Sequence, residues 1–191
     1  MDVAASSSEQ RGGVRRWLLS LCLFLLSTPC FAQPETPISL AEQRAKAVTQ
    51  VVLGILSYAR WPIEPAQLQL CVVGPTEYTD DLLKGATQSS GRQVFVRRLL
   101  VNNPTIADDC NALYLVKLSD EERSSLFNAR AGHAVLSISE GGDQCTVGTL
   151  FCLRVADEQV SFEVNLDSVA RSGVRIHPSV LQLSRRRAAQ P

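Results

Sequence analysis

The first helical pattern of the chain begins after a polar, proline-containing stretch. Ser39 and Glu42 have the spacing of a capping box, in which each side chain bonds the other's unpaired backbone N–H. Pro62 disfavours helix in the residues before it, so the helix is predicted to end just after Arg60 and Trp61. Apolar residues recur between these limits at spacings of three and four, which predicts one buried helical face: Val48, Val51, Val52, Ile55, Leu56 and Ala59.

Four short apolar runs follow, and helical stretches separate them. Ser119 and Glu122 form a second capping box, which predicts a helix running towards Gly132. A shorter helix is predicted over residues 78–86. Strands that alternate with helices favour right-handed crossovers and a mostly parallel sheet covered on both faces. The predicted strands are residues 68–73, 94–96, 112–116 and 133–138.

Two strand-like runs near the carboxyl terminus have no helix between them. Residues 149–155 and 159–165 are separated by only three residues, which predicts an antiparallel hairpin at the sheet edge. Further helices are predicted over 167–171 and from Pro178 towards Arg187. The fold class is therefore α/β: a three-layer, mostly parallel sheet flanked by helices, with an antiparallel carboxyl-terminal hairpin.

The amino terminus has the organisation of an export signal. Arg11, Arg15 and Arg16 precede an apolar run of about ten residues, whereas a spanning helix needs roughly 20. Cleavage is predicted after Ala32, and an uncleaved membrane anchor is the alternative. The predicted organisation is a signal peptide (1–32), a linker (33–38), a single domain (39–187) and a tail (188–191).

Composition and charge limit the classes of function that the chain can have. The chain has 191 residues, of which 45% are hydrophobic and 20% charged, so it can bury one sizeable core. Its 19 basic and 19 acidic residues give a formal net charge of zero. Without a basic stripe, general electrostatics give no reason to expect nucleic-acid binding.

Four cysteines remain after the predicted leader, and an even number in an exported chain favours disulfides. The four allow three pairings. A sheet in which the first and third strands are neighbours brings Cys71 near Cys110, and Cys145 is close in sequence to Cys152. We therefore predict the pairs Cys71–Cys110 and Cys145–Cys152. A zinc site is the alternative, but the spacing contains no paired CxxC motif.

The sequence offers little catalytic machinery. Neither His133 nor His177 has a recognisable nucleophile context, and the common phosphate-binding, zinc-protease and nucleophile-elbow motifs are missing. Gly141-Gly142-Asp143 resembles part of a cyclase signature but is typical of a turn. We predict no catalytic residue, no metal site and no cofactor.

Two sets of residues are candidates for binding. Arg60 and Trp61 at the first helix end, with Arg175 and His177 before the last helix, have the chemistry to hold a small anionic or aromatic metabolite. The alternative is a solvated edge on which Trp61 simply packs.

The hairpin supplies the second set, which is predicted to contact a protein partner. Alternation along 160–164 turns Glu163 away from the core, and Val169 follows it closely. Phe151, Glu163 and Val169 are the predicted contact residues, with ordinary surface exposure as the alternative.

An ordered set of local motifs extends over about residues 40 to 187. The motifs are Arg60-Trp61-Pro62, LCVVG from Leu70, Gly91-Arg92, CNALYLV from Cys110, the strand led by Gly132, FEVNLDSVARSGVRIHPSVLQLSRR from Phe162, and the four cysteines. In these motifs and their order the chain resembles the YfiR-like family of periplasmic repressors.

The resemblance implies a homodimeric periplasmic protein without catalytic activity, whose folding depends on its disulfides. It implies binding to the periplasmic sensor region of an inner-membrane diguanylate cyclase, YfiN, so that cyclic di-GMP synthesis and biofilm formation are repressed. An outer-membrane lipoprotein, YfiB, sequesters such repressors.

The resemblance also assigns residues. Phe151, Glu163 and Val169 fall on the family's partner surface, and Arg60, Arg175 and His177 fall in its proposed ligand pocket. Val169 stands where a bulkier Ile is expected, and Arg187 where Gln is expected. A periplasmic solute-binding module is the alternative function, and an exported hydrolase is a third.

Overall fold

A computed structural model describes residues 38–141, 148–156 and 159–183. The predicted signal peptide, the linker except its last residue, and the tail lie outside the described residues. Cys145 and Arg187 lie outside them as well.

Four α-helices, nine strands and two short 3₁₀ turns lie wholly within the described residues. The helices are α1 (Leu40–Ser57), α2 (Ile106–Asp109), α3 (Asp120–Ala129) and α4 (Leu166–Arg171). The strands are β1 (Ala59–Arg60), β2 (Leu68–Val73), β3 (Ala86–Thr87), β4 (Gln93–Leu99), β5 (Ala112–Val116), β6 (Leu136–Glu140), β7 (Phe151–Val155), β8 (Val160–Val164) and β9 (Arg175–Ile176).

Seven strands build the main sheet in the order β3-β4-β2-β5-β6-β7-β8. Pairing is parallel from β4 to β7 and antiparallel for β3–β4 and β7–β8. The predicted α/β class, the neighbouring first and third strands and the carboxyl-terminal hairpin at the sheet edge are confirmed. Strands β1 and β9 form a separate antiparallel pair.

Two apolar clusters cover the two faces of the sheet, which confirms the three-layer arrangement. Residues of β2 alternate between them: Leu70 and Val72 join the cluster under α1, while Cys71 and Val73 join the cluster with α2 and α3. This alternation is why β2 is apolar at nearly every position, as expected for a strand buried on both faces.

Helix α1 is shorter than predicted. Its last residue is Ser57, and Tyr58 caps it, so the prediction that it continues past Arg60 is wrong. The physical reason is tertiary: the backbone of residues 59–60 pairs with β9, and the Tyr58 carbonyl accepts a hydrogen bond from the His177 N–H at 3.0 Å. Ser39 caps α1 by accepting a hydrogen bond from the Glu42 N–H, which is one half of the predicted capping box. The other half does not form, because the Glu42 carboxylate pairs with Lys46 instead of the Ser39 N–H.

Other boundaries also differ from the predictions. The helix predicted over 78–86 is only the 3₁₀ turn Leu82–Lys84, because Gly85 in the left-handed region ends it and β3 follows. Strand β6 begins three residues later than predicted, and β4 is longer. The complete capping box at Ser119 and Glu122 is confirmed. Pro178 begins a 3₁₀ turn, and the chain remains helical through residue 183.

Candidate functional site

A disulfide fastens the centre of the sheet. Cys71 of β2 and Cys110, just before β5, are bonded with their Cα atoms 5.9 Å apart, which confirms the first predicted pair. Both side chains are buried in the cluster with α2 and α3. Cys152 is also disulfide-bonded, and its predicted partner, Cys145, lies outside the described residues.

The hairpin presents one exposed ion pair. Arg154 of β7 donates from its guanidinium to the Glu163 carboxylate of β8 at 2.6 Å, and both side chains are more than half exposed. Their positions are diagonal in the register, because Cys152 lies opposite Glu163 and Ser161 opposite Arg154. The predicted outward orientation of Glu163 thus places it on a rigid strand pair, beside a disulfide-bonded cysteine.

Phe151 occupies a different position from the one predicted. It is 0% exposed and packs edge-on against Phe162, with ring centroids 5.7 Å apart. This burial corrects the expectation that Phe151 contacts a partner directly, because the first residue of β7 turns its ring into the core. Its contribution to any surface is to support the hairpin from beneath.

Helix α4 completes the surface next to the hairpin. Asn165 caps it by accepting the Ser168 N–H, and this fixes the direction in which the helix leaves β8. Val169 is half-buried against the core, whereas Leu166 is 72% exposed. We call Arg154, Glu163, Leu166 and Val169 the hairpin surface. Sequence reasoning missed Leu166 and Arg154, although a leucine at the first position of a short helix was a signal that could have found the former.

The predicted ligand residues meet in part. Strands β1 and β9 place Arg60 directly opposite Arg175, and Tyr58 stacks on His177 with ring centroids 6.2 Å apart. The His177 Nδ1 accepts the Ser179 N–H and so caps the following turn. Opposed arginines in antiparallel register repel each other, so this strand pair favours an anion nearby.

Trp61 packs in the interior, which is the alternative considered for it. It is 3% exposed, and its indole N–H donates to the Asn111 carbonyl at 3.1 Å. The Arg92 guanidinium lies 5.6 Å from the ring centre. The indole therefore joins β1 to the centre of the sheet, which corrects the expectation that it contacts a ligand.

A cleft of about 600 Å³ lies beside Arg60. Arg92 spans it: one guanidinium nitrogen donates to Glu64 at 2.6 Å, and its Nε donates to the Gln88 side-chain oxygen at 2.9 Å. The Gln88 amide nitrogen is buried without a hydrogen-bond partner. We call this the basic cleft; the residues lining it are Ser57, Arg60, Glu64, Pro65, Ala66, Gln88, Ser89, Ser90 and Arg92.

The basic cleft differs from the predicted pocket in its second wall. Arg175 and His177 are not among its lining residues, and Arg92, Gln88 and Glu64 take their place. The Gly91-Arg92 motif was the available signal for this wall. Arg92 is already paired with Glu64, and one guanidinium nitrogen of Arg60 donates to the Ser57 and Ala59 carbonyls. The remaining N–H groups of the two arginines and the unpaired amide of Gln88 suit a small anion.

Within the described ranges, no three His, Cys, Asp or Glu side chains are grouped so that they could hold a metal ion. Among the described helices, none combines the length and apolar character that a bilayer crossing requires.

The family model described as YfiR/HmsC-like matches residues 45–185 of the chain, a span that includes the hairpin surface, the basic cleft and the Cys71–Cys110 bond. The chain belongs to the YfiR/HmsC-like family. This confirms the resemblance found in the sequence.

Membership in the YfiR/HmsC-like family sets the general function. The family consists of periplasmic, non-catalytic regulators, and these interact in general with partners of the YfiN type. A disulfide in the core agrees with folding in an oxidising compartment.

Proposed function

We propose that this protein represses an inner-membrane diguanylate cyclase like YfiN by docking its hairpin surface on the cyclase's periplasmic sensor region. Cyclic di-GMP synthesis and biofilm formation then fall. The observation that carries the proposal is the outward-facing Glu163, held by Arg154 on a hydrogen-bonded hairpin next to the exposed Leu166.

Repression of this kind is differential binding. The repressor shifts the cyclase towards its inactive form only by as much as it prefers that form, and a hundredfold preference corresponds to about 2.7 kcal/mol. An outer-membrane lipoprotein like YfiB that competes for the repressor reverses the effect by mass action.

Charge reversal at the surface tests the proposal. Glu163→Arg places two cations side by side on the hairpin surface, and we expect it to weaken co-purification of the membrane cyclase about tenfold or more. Glu42→Arg is the matched control, since Glu42 is also 54% exposed at its side chain and ion-paired, with Lys46.

The results of this experiment decide whether Glu163 belongs to the contact with the cyclase. Loss of cyclase capture by Glu163→Arg alone, with both variants unfolding at similar denaturant concentrations, supports the proposal. Wild-type capture by Glu163→Arg, or an equal loss in Glu42→Arg, removes Glu163 from the contact.

The basic cleft favours a second candidate function, a periplasmic module that binds a small anionic or aromatic metabolite. Arg60, Arg92 and the unpaired Gln88 amide supply the chemistry. Native mass spectrometry of protein purified from cells tests it. A stoichiometric metabolite that disappears in Arg60→Ala, with no cyclase in the same preparation, favours this function over repression.

We further propose that the protein acts as a homodimer whose folding requires both disulfides, Cys71–Cys110 and Cys145–Cys152. Sedimentation of oxidised protein tests the first part, since a monomer at all concentrations contradicts it. Peptide mapping under non-reducing conditions tests the second pair, and a free Cys145 thiol contradicts it.

A further inference from the structure

The topology leaves a crevice that neither the hairpin surface nor the basic cleft uses. Parallel strands β4, β2, β5 and β6 all end at one edge of the sheet. Strand order reverses between β2 and β5, so the segments that follow these two strands leave in opposite directions. In open α/β sheets, ligands bind in the crevice formed at such a reversal.

Two adjoining recesses occupy this position, with volumes of about 430 and 350 Å³. Both are lined by Pro75, after β2, and by Lys117, after β5. Their sizes are at the lower end of what small-molecule sites have. We call the two recesses together the carboxyl-edge crevice.

The first recess has an apolar wall. Its lining combines the end of β2 with the end of β4 and the turn beyond, where Leu100 is 76% exposed. An exposed leucine beside half-buried neighbours is an energetic cost that a bound apolar group removes. The apolar lining residues are Val72, Pro75, Leu99, Leu100, Val101 and Leu118.

Backbone contact shapes the floor of the crevice. Gly74 has φ 97°, and a Cβ built there would lie 1.9 Å from the Val116 carbonyl oxygen. Only glycine allows the ends of β2 and β5 to approach this closely.

Lys117 has an unusual backbone conformation for a surface lysine. Its φ of 48° is the one positive value at a non-glycine residue in the described chain. Its ammonium has no hydrogen bond or ion pair with any described residue. Glycine or asparagine is more comfortable in this conformation, so a lysine retained there, unpaired and lining both recesses, points to a role for its charge.

The remaining charges limit what Lys117 can hold. Arg98 is occupied by the Thr79 hydroxyl at 3.0 Å and faces Asp80 at 3.7 Å. In the second recess, the Glu140 carboxylate accepts hydrogen bonds from the Thr76 and Tyr114 hydroxyls, both at 2.7 Å. Two further carboxylates line the recesses: Glu122 in the first, which accepts a hydrogen bond from the Ser119 N–H, and Glu77 in the second. One unpaired cation among three carboxylates suits a singly charged anion better than a doubly charged phosphate.

We propose that the carboxyl-edge crevice binds a small organic carboxylate with an apolar body. The carboxylate pairs with the Lys117 ammonium, and the body covers the wall formed by Leu99, Leu100 and Leu118. This site is separate from the basic cleft and independent of the proposed repression.

Titration with matched probes tests the proposal on protein purified after expression of the full chain. Phenylacetate carries the charge and the apolar body, and phenylacetamide carries the same body without charge. We expect phenylacetate to shift backbone amide NMR signals of Gly74–Tyr78, Leu99–Val101 and Lys117, and to bind about tenfold or more tightly than the amide.

A substitution that keeps the turn isolates the charge. Lys117→Asn tolerates positive φ, so it is expected to fold at least as stably as the wild type and to bind phenylacetate about tenfold or more weakly. Lys117→Met, which keeps the length of the side chain, serves if the asparagine variant misfolds. Lys84→Asn is the control, because it removes an exposed lysine that lines neither recess.

Three results overturn the proposal. Equal affinity for phenylacetate and phenylacetamide shows that charge is not recognised. Unchanged phenylacetate binding by both Lys117 variants removes the cation from the site. Signals that shift only around Arg60 and Arg92, or no shifts at all, assign the carboxylate to the basic cleft or to no site.

Discussion

The centre of the seven-stranded sheet and its carboxyl-terminal edge present different kinds of surface. Around β2 and β4 the surface is concave: the basic cleft and the carboxyl-edge crevice open there, and the Cys71–Cys110 bond braces the strands between them. At β7 and β8 the sheet ends in a hairpin whose charged side chains point outward. Concave regions with unpaired polar groups suit small ligands, and a projecting strand pair suits a protein partner. One sheet therefore carries both kinds of surface.

The strongest test of this contrast is Phe151→Ala. Because Phe151 is fully buried, we expect the substitution to lower the free energy of unfolding by about 3–5 kcal/mol. Urea unfolding followed by circular dichroism measures it. A stable Phe151→Ala protein that loses only cyclase binding would show that this ring acts at the surface after all.

Removing the central disulfide is the next largest change. Cys71→Ala combined with Cys110→Ala should cost about 4 kcal/mol, since the bond closes a loop between residues 39 positions apart. Amide hydrogen exchange should accelerate more in β2 and β5 than in β7 and β8. Uniform acceleration across the sheet would contradict a local bracing role.

Tyr114→Phe probes the concave half at a single hydrogen bond. The variant loses the bond to Glu140 and should be less stable by about 1–2 kcal/mol at neutral pH. Unchanged stability at neutral pH would mean that this bond contributes nothing net.

The same variant predicts a pH dependence. Burial, then the nearby Glu140 charge, raises the pKa of the Tyr114 hydroxyl well above its ordinary value near 10. The unfolded chain releases this proton first, so the wild type loses stability as the pH rises above about 10, and Tyr114→Phe lacks this contribution. Unfolding free energies of both proteins across that range measure the difference, and parallel curves would contradict it.

The smallest effect is expected at the hairpin ion pair. Arg154→Glu combined with Glu163→Arg restores the pair in reverse, and each single or double variant should stay within about 0.5 kcal/mol of the wild type, because the pair is exposed. Thermal unfolding measures this. A larger loss would mean that the pair holds the hairpin together instead of presenting charge.

Much of the architecture followed from local patterns. The apolar run at β2, the capping box at Ser119 and the short connection between β7 and β8 each act over a few residues, so their chemistry is visible in sequence. The Cys71–Cys110 pair also followed, because strand order alone brings those two positions together.

The candidate site was harder to predict from the sequence than the architecture. Phe151 and Trp61 are aromatic residues at the ends of elements, and nothing local distinguishes a buried aromatic side chain from an exposed one. Arg92 and Glu64 meet across 28 residues of sequence, and Lys117 becomes notable only through its backbone conformation. These features depend on which segments pack together.

The sequence by itself determined the α/β class, because hydrophobic periodicity, capping and turn chemistry are short-range and repeat along the chain, and its ordered motifs indicated the family. Only the tertiary structure decided where α1 ends, which aromatic rings are buried and which cations remain unpaired. Those outcomes depend on contacts between residues distant in sequence, whose free energy exceeds local preference.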